Sequence, residues 1–115
     1  TYCAQLVCDR GAGLAFVRYA KFDHDRLLRN NFVDLNAFAH RRRSYERHGG
    51  FDENLTRLVD WDLILRYTRE APPVRSPALG GRYASGGPER VSATESRRRN
   101  EYLIRRKWET PIPRP

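Results

Sequence analysis

A chain of 115 residues makes one domain or part of a larger one, and a globule of that size buries roughly two-thirds of its unfolded surface. Hydrophobic residues at 39% and charged ones at 31%, with six Tyr, five Phe and two Trp, exclude a disordered chain. No apolar run approaches the roughly 18 residues of a membrane-spanning helix, and the opening residues carry no signal-peptide pattern. The net charge of +8, almost all arginine, gives a general affinity for polyanions but selects no function.

Tyr2 to Cys8 and Leu14 to Tyr19 are β-prone runs separated by Asp9-Arg10-Gly11-Ala12-Gly13, which predicts an antiparallel hairpin. In Lys21 to Arg29, Asp23 or Asp25 serves as the N-cap of a helix carrying Leu27 and Leu28. Phe32 to Phe38 alternates, with Val33, Leu35 and Ala37 against Asp34 and Asn36, and predicts a strand with one polar face. Arg42 to His48 reads as a short helix stopped by Gly49-Gly50. A longer helix begins between Asn54 and Asp60 and ends before Pro72-Pro73, with Leu58, Trp61 and Leu65 as its core-facing stripe. Val74 to Tyr83, broken by Pro77 and Gly80-Gly81, is expected as an edge strand or extended segment. Ser92-Ala93-Thr94-Glu95 has the form of a capping box, so a last helix is expected from about Ala93 to Trp108. The fold class is thus mixed α/β, divided into residues 1–92 and a C-terminal helix with Pro-rich tail, 93–115.

Cys3 and Cys8 make no disulfide framework, and their spacing of five turns them to opposite faces of one strand. A reducing, cytosolic compartment is the simpler expectation. His24, His40 and His48 do not complete a zinc site, so no metal is expected on these residues.

The chemistry concentrates in Asn31 to Arg66. Gly49-Gly50 lets the chain reverse after the short helix, and Phe51 is expected to pack beneath the helix that follows. Asp60 falls near that helix's start, where the macrodipole favours a negative charge by ~0.3–1 kcal/mol. Asp62 lies two positions on, about 200° around the helix, and so serves a different place.

The order Gly49-Gly50-Phe51-Asp52-Glu53, then Asp60-Trp61-Asp62-Leu63 and Arg66, preceded by an Arg-rich short helix, resembles the family 2 glycosyltransferases. The likeness is specific over about 40 residues and extends by element order to Thr1 through Tyr83. The resemblance implies the C-terminal, acceptor-side half of a GT-A domain. Its parent would be a bacterial, inverting enzyme of envelope polysaccharide synthesis that moves a sugar from a nucleotide-diphosphate donor to a hydroxyl of a glycan or lipid-linked acceptor. Asp60 matches the aspartate that acts as general base. Arg42, Arg43, Trp61 and Asn36 fall where the resemblance implies contact with acceptor or diphosphate. Val59 stands where the family often has Glu, which removes any acid–base role there.

In such enzymes an Asp-x-Asp at a strand end holds a divalent metal, Mg or Mn. Asp23-His24-Asp25 opens a helix and Asp60-Trp61-Asp62 lies in one, so both read as decoys. The metal motif and nucleotide-binding strands are expected before Thr1, which is not an initiating Met. The isolated chain is therefore expected to be inactive and to self-associate.

Arg41-Arg42-Arg43 and Arg97-Arg98-Arg99 suit phosphate groups or plain solvated surface. Tyr102, Leu103, Ile104 and Trp108, beside Arg105, Arg106 and Lys107, suit either an anionic membrane surface or packing on the same domain. A cytoplasmic location, with contact to the inner face of a membrane, fits the implied substrates. Two rivals stand beside this reading. A basic nucleic-acid-binding module is supported by pI near 10.2 but has no recognised motif. A non-catalytic GT-A-like assembly domain would keep the fold without the activity.

Overall fold

The computed structural model describes residues 1–9, 11–85 and 95–109, which form a mixed α/β structure with a three-stranded sheet and four α-helices. β1 (Tyr2–Asp9) and β2 (Leu14–Arg18) pair antiparallel, from Gln5 opposite Arg18 to Asp9 opposite Leu14. Asp9 fixes the turn: its Oδ1 accepts from the N–H groups of Gly11 at 3.0 Å and Ala12 at 3.2 Å, and Gly13 follows at φ +65°. β3 (Arg75–Ser85) lies parallel to β1 on its other side, so the order is β2-β1-β3. The register slips between Cys3 and Gln5, which accommodates Pro77 and its missing N–H at the sheet edge. A β-carbon at Gly80 would collide with the Cys3 sulfur, so glycine there lets the two strands close together.

α1 (His24–Arg29) starts at Asp23, whose Oδ1 accepts from the N–H groups of Asp25 at 2.9 Å and Arg26 at 3.3 Å. α2 (Arg42–His48) ends at Gly49, φ +77°. α3 (Val59–Tyr67) closes on Thr68, and α4 (Arg97–Arg106) opens on Ser96. Trp61, Leu65, Ile64, Leu27 and Ile104 form the centre of the core, each nearly or wholly removed from water. Full burial of an aliphatic side chain of this kind contributes about 1.5–3 kcal/mol.

Three expectations are corrected. Phe32 to Phe38 is not a strand: Asp34 turns its Oδ1 onto the Leu35 N–H at 2.7 Å and curls Leu35–Ala37 into a 3₁₀ turn. Only Phe38 pairs, in a single bridge to Tyr2, where β2 no longer runs beside β1. Phe51 is half exposed rather than packed beneath α3, and Leu55 fills the core near that turn instead. The last helix begins at Arg97 with Ser96 as its cap, Oγ accepting from the Arg99 N–H at 3.2 Å; Ser92, Ala93 and Thr94 of the expected capping box lie outside the described residues.

α4 shares the core of residues 1–85. Ile104 is fully buried, while Leu103 and Trp108 pack against the same cluster, so most of the apolar stripe faces inward and Tyr102 is exposed. No helix among the described residues is long and apolar enough to cross a membrane.

Candidate active site at the start of α3

The Gly-Gly turn and the end of α3 hold each other. Arg66 donates from Nη1 to the His48 carbonyl and from Nη2 to the Gly50 carbonyl, both at 2.6 Å, and from Nε to Asp62 Oδ2 at 3.0 Å. The Tyr67 hydroxyl adds a bond to the Gly49 carbonyl at 2.6 Å. Asp62 is fully buried, and its other oxygen accepts from Lys107 Nζ at 2.8 Å. Lys107 also bonds Asp52, whose carboxyl is held below its ordinary range chiefly by that bond. Burial alone would lower the Lys107 value, but Asp52 and Asp62 outweigh it and the net shift is upward. These residues brace α3 from the side away from Asp60.

The other side of α3 opens into a cleft of about 460 Å³. Its walls come from β2 through Arg18, from Asn30, Asn31, Val33 and Asp34, from the 56–58 segment, from β3 through Tyr83 and from α4 through Arg97. Leu58, just before α3, adopts φ +63° and ψ +25°, a left-handed conformation costing a non-glycine residue roughly 1–2 kcal/mol. That turn delivers Val59 and Asp60 to the cleft wall.

Asp60 is half-buried, and its Oδ1 accepts from the Trp61 N–H at 2.8 Å. Asp34 lines the same cleft. Burial first, then the neighbouring Asp34, raise the Asp60 pKa above the ordinary value, against the opposing Trp61 N–H. Asp34 is itself fastened: Oδ1 takes the Leu35 N–H, and Oδ2 takes Gln5 Nε2 at 2.9 Å. Gln5, buried in the middle of β1, accepts in turn from Arg18 and also donates to Asn36.

The sequence-predicted residues thus separate. Asp60 lines the cleft. Asn36 joins its wall indirectly, through Gln5, and donates from Nδ2 to the Arg82 carbonyl at 3.2 Å, tying residues 35–37 to β3. Trp61 points into the core and donates its indole N–H to the Leu27 carbonyl at 2.6 Å. Arg42 and Arg43 are exposed on α2, outside the cleft lining, with Arg42 facing Glu46 at 3.4 Å. Sequence reasoning passed over Gln5, Asp34, Arg18 and Arg57, and named Arg97 only within the run Arg97-Arg98-Arg99. The polar positions of 32–38 were the available signal for Asp34; nothing local marks the others.

Chemically, the cleft combines a carboxyl of raised proton affinity with guanidinium groups suited to anionic oxygens. Among the described residues no three His, Cys, Asp or Glu side chains converge as metal donors. No protein-family model matches the chain, and no curated protein or solved structure matches it either.

Proposed function

We propose that this chain is the acceptor-side, C-terminal half of a GT-A glycosyltransferase domain, with Asp60 as the general base of sugar transfer. The observation that carries the reading is the place of Asp60: a half-buried carboxyl on the wall of a cleft that Asp34 also lines, with its proton affinity raised. These surroundings support reading as a base the residue that the motif order marks.

In the step, the acceptor hydroxyl oxygen forms a bond to the anomeric carbon while its proton passes to Asp60. The bond from that carbon to the diphosphate oxygen breaks, and its electron pair leaves with the diphosphate. Arg18, Arg57 and Arg97 give the cleft positive charge for anionic oxygens of either substrate. On this reading the nucleotide site, and the metal that the resemblance implies, are assigned to the other half of the domain.

In the parent protein, Asp60→Asn should lower transfer by about 10²–10⁴-fold while donor binding is retained, because an amide keeps the shape but cannot take the proton. Radiolabelled sugar transfer, with donor affinity measured alongside, is the check. Unchanged transfer would remove the base assignment.

A further inference from the structure

We propose that the cleft beside Asp60 recognises a phosphate or diphosphate group carried by the acceptor, and that Arg18, Arg57 and Arg97 bind it. This rests on the reading of Asp60 as the base and names the class of acceptor, a hydroxyl compound that already bears phosphate.

Three elements far apart in the chain bring these guanidinium groups to one cleft of about 460 Å³: the end of β2, the segment before α3 and the first turn of α4. A space of that size suits a small-molecule ligand, for which roughly 300–1,000 Å³ is usual. Among the described residues the lining carboxylates are Asp34 and Asp60, so with three cations against two anions the walls stay net positive. Neither carboxylate is paired with one of the arginines. Asp34 accepts from the Leu35 N–H and from Gln5, and Asp60 from the Trp61 N–H.

The arginines are held in place and still keep donors for a ligand. Gln5, buried in the middle of β1, presents its carbonyl oxygen to Arg18, whose guanidinium also lies over the Tyr83 ring at 5.6 Å. The Arg57 backbone N–H is fixed by the buried Asn100 at 3.2 Å, and its Nη1 donates to the Glu95 carbonyl at 3.3 Å. Arg97 is a loose second partner of Glu101 at 3.8 Å, behind Arg105 at 2.8 Å. A guanidinium has five N–H donors. Among the described residues, these contacts use one hydrogen-bond donor of Arg18 and one of Arg57. The others suit paired hydrogen bonds to phosphate oxygens.

The chemistry of the step assigns the anion to the acceptor. In an inverting displacement the attacking oxygen and the leaving diphosphate stand on opposite sides of the anomeric carbon. Guanidinium groups that share a cleft with the base are therefore on the attacking side, where the acceptor lies.

Isothermal titration calorimetry of the 115-residue chain with inorganic pyrophosphate tests the site without any transfer step, in ~0.15 M salt where distant charges are screened. Arg57→Gln combined with Arg97→Gln should weaken binding about tenfold or more. Arg98→Gln combined with Arg99→Gln removes the same charge from exposed positions of α4 outside the cleft lining, and should change binding less than about twofold. Equal losses in the two double variants, or no binding by the wild type in the millimolar range, overturn the proposal. If the first variant does not fold, Arg97→Gln against Arg98→Gln carries the same comparison, both residues being exposed. Vesicles give the source of the group. Cleft-dependent binding to phosphatidylcholine vesicles containing phosphatidic acid, and not to phosphatidylcholine alone, marks a lipid-borne phosphate; cleft-dependent binding confined to pyrophosphate in solution marks a soluble one. The two readings fail separately. Loss of the anion site leaves the base assignment, whereas normal transfer by Asp60→Asn removes the base and leaves the anion site.

Discussion

Asp60 and Asp62 stand two positions apart on α3 and meet opposite surroundings, so the same substitution should act on them in opposite ways. Asp60 has a folded pKa above its ordinary 3.8, so the folded chain binds that proton more tightly than the unfolded chain. The resulting stability is fully present below the unfolded value and is lost as pH rises through the folded one. At neutral pH the ionised Asp60 is a cost, and Asp60→Asn should melt higher than the wild type, with the gain vanishing in acid. Asp62→Asn should instead destabilise by about 2 kcal/mol, because a buried acceptor of two cationic donors loses its charge. Thermal melts of both variants at neutral and acidic pH check the pair of outcomes. That the two aspartates face apart was legible from their spacing alone. That Asp34 lines the same cleft as Asp60 was not, since the two are brought together only when residues 30–34 and α3 pack around the same core.

At the scale of elements, α4 is a brace on everything that shapes the cleft. Asn100, fully buried, accepts at Oδ1 from the N–H groups of Thr56 at 2.8 Å and Arg57 at 3.2 Å and donates to the Ser96 carbonyl at 2.7 Å. Arg105 reaches the Leu28 carbonyl near the end of α1 at 3.0 Å, and Lys107 joins Asp52 to Asp62. Asn100→Ala strands two backbone donors and should cost about 2–3 kcal/mol. Hydrogen exchange at Thr56 and Arg57 should rise in that variant before the rest of the chain loosens; equal protection there would show that Leu58 and Val59 hold the segment unaided. Hairpin, α1 and α2 were readable because their signals are local: a turn sequence, an Asp cap, a Gly stop. The 32–38 stretch misled because alternation fits an extended chain and says nothing of the Asp34 cap that curls it. Leu58 was equally silent, since a left-handed leucine has no sequence mark and is held by packing against the core.

At the scale of the whole molecule, both outer strands of the sheet are edges, and apolar side chains line them. Leu14, Phe16 and Val17 on β2 and Leu79 on β3 are each more than half exposed. Edges with apolar flanks recruit further strands, and a standard interface covers about 800 Å² per partner. The charge of +8 opposes association, yet salt at ~0.15 M screens it beyond about 8 Å. Light scattering after size exclusion should find dimers or larger species at that salt; a clean monomer across the micromolar range would show that the sheet needs no cover. The parallel pairing of β1 with β3 also sets an order in time. β2 meets β1 across a tight turn, a closure of microseconds, whereas Tyr2 and Arg75 are partners 73 residues apart in the chain. Closing so long a loop has a high entropic cost until α1, α2 and α3 have shortened the distance. The hairpin is therefore expected to assemble early and β3, which carries Tyr83 to the cleft, to join it late.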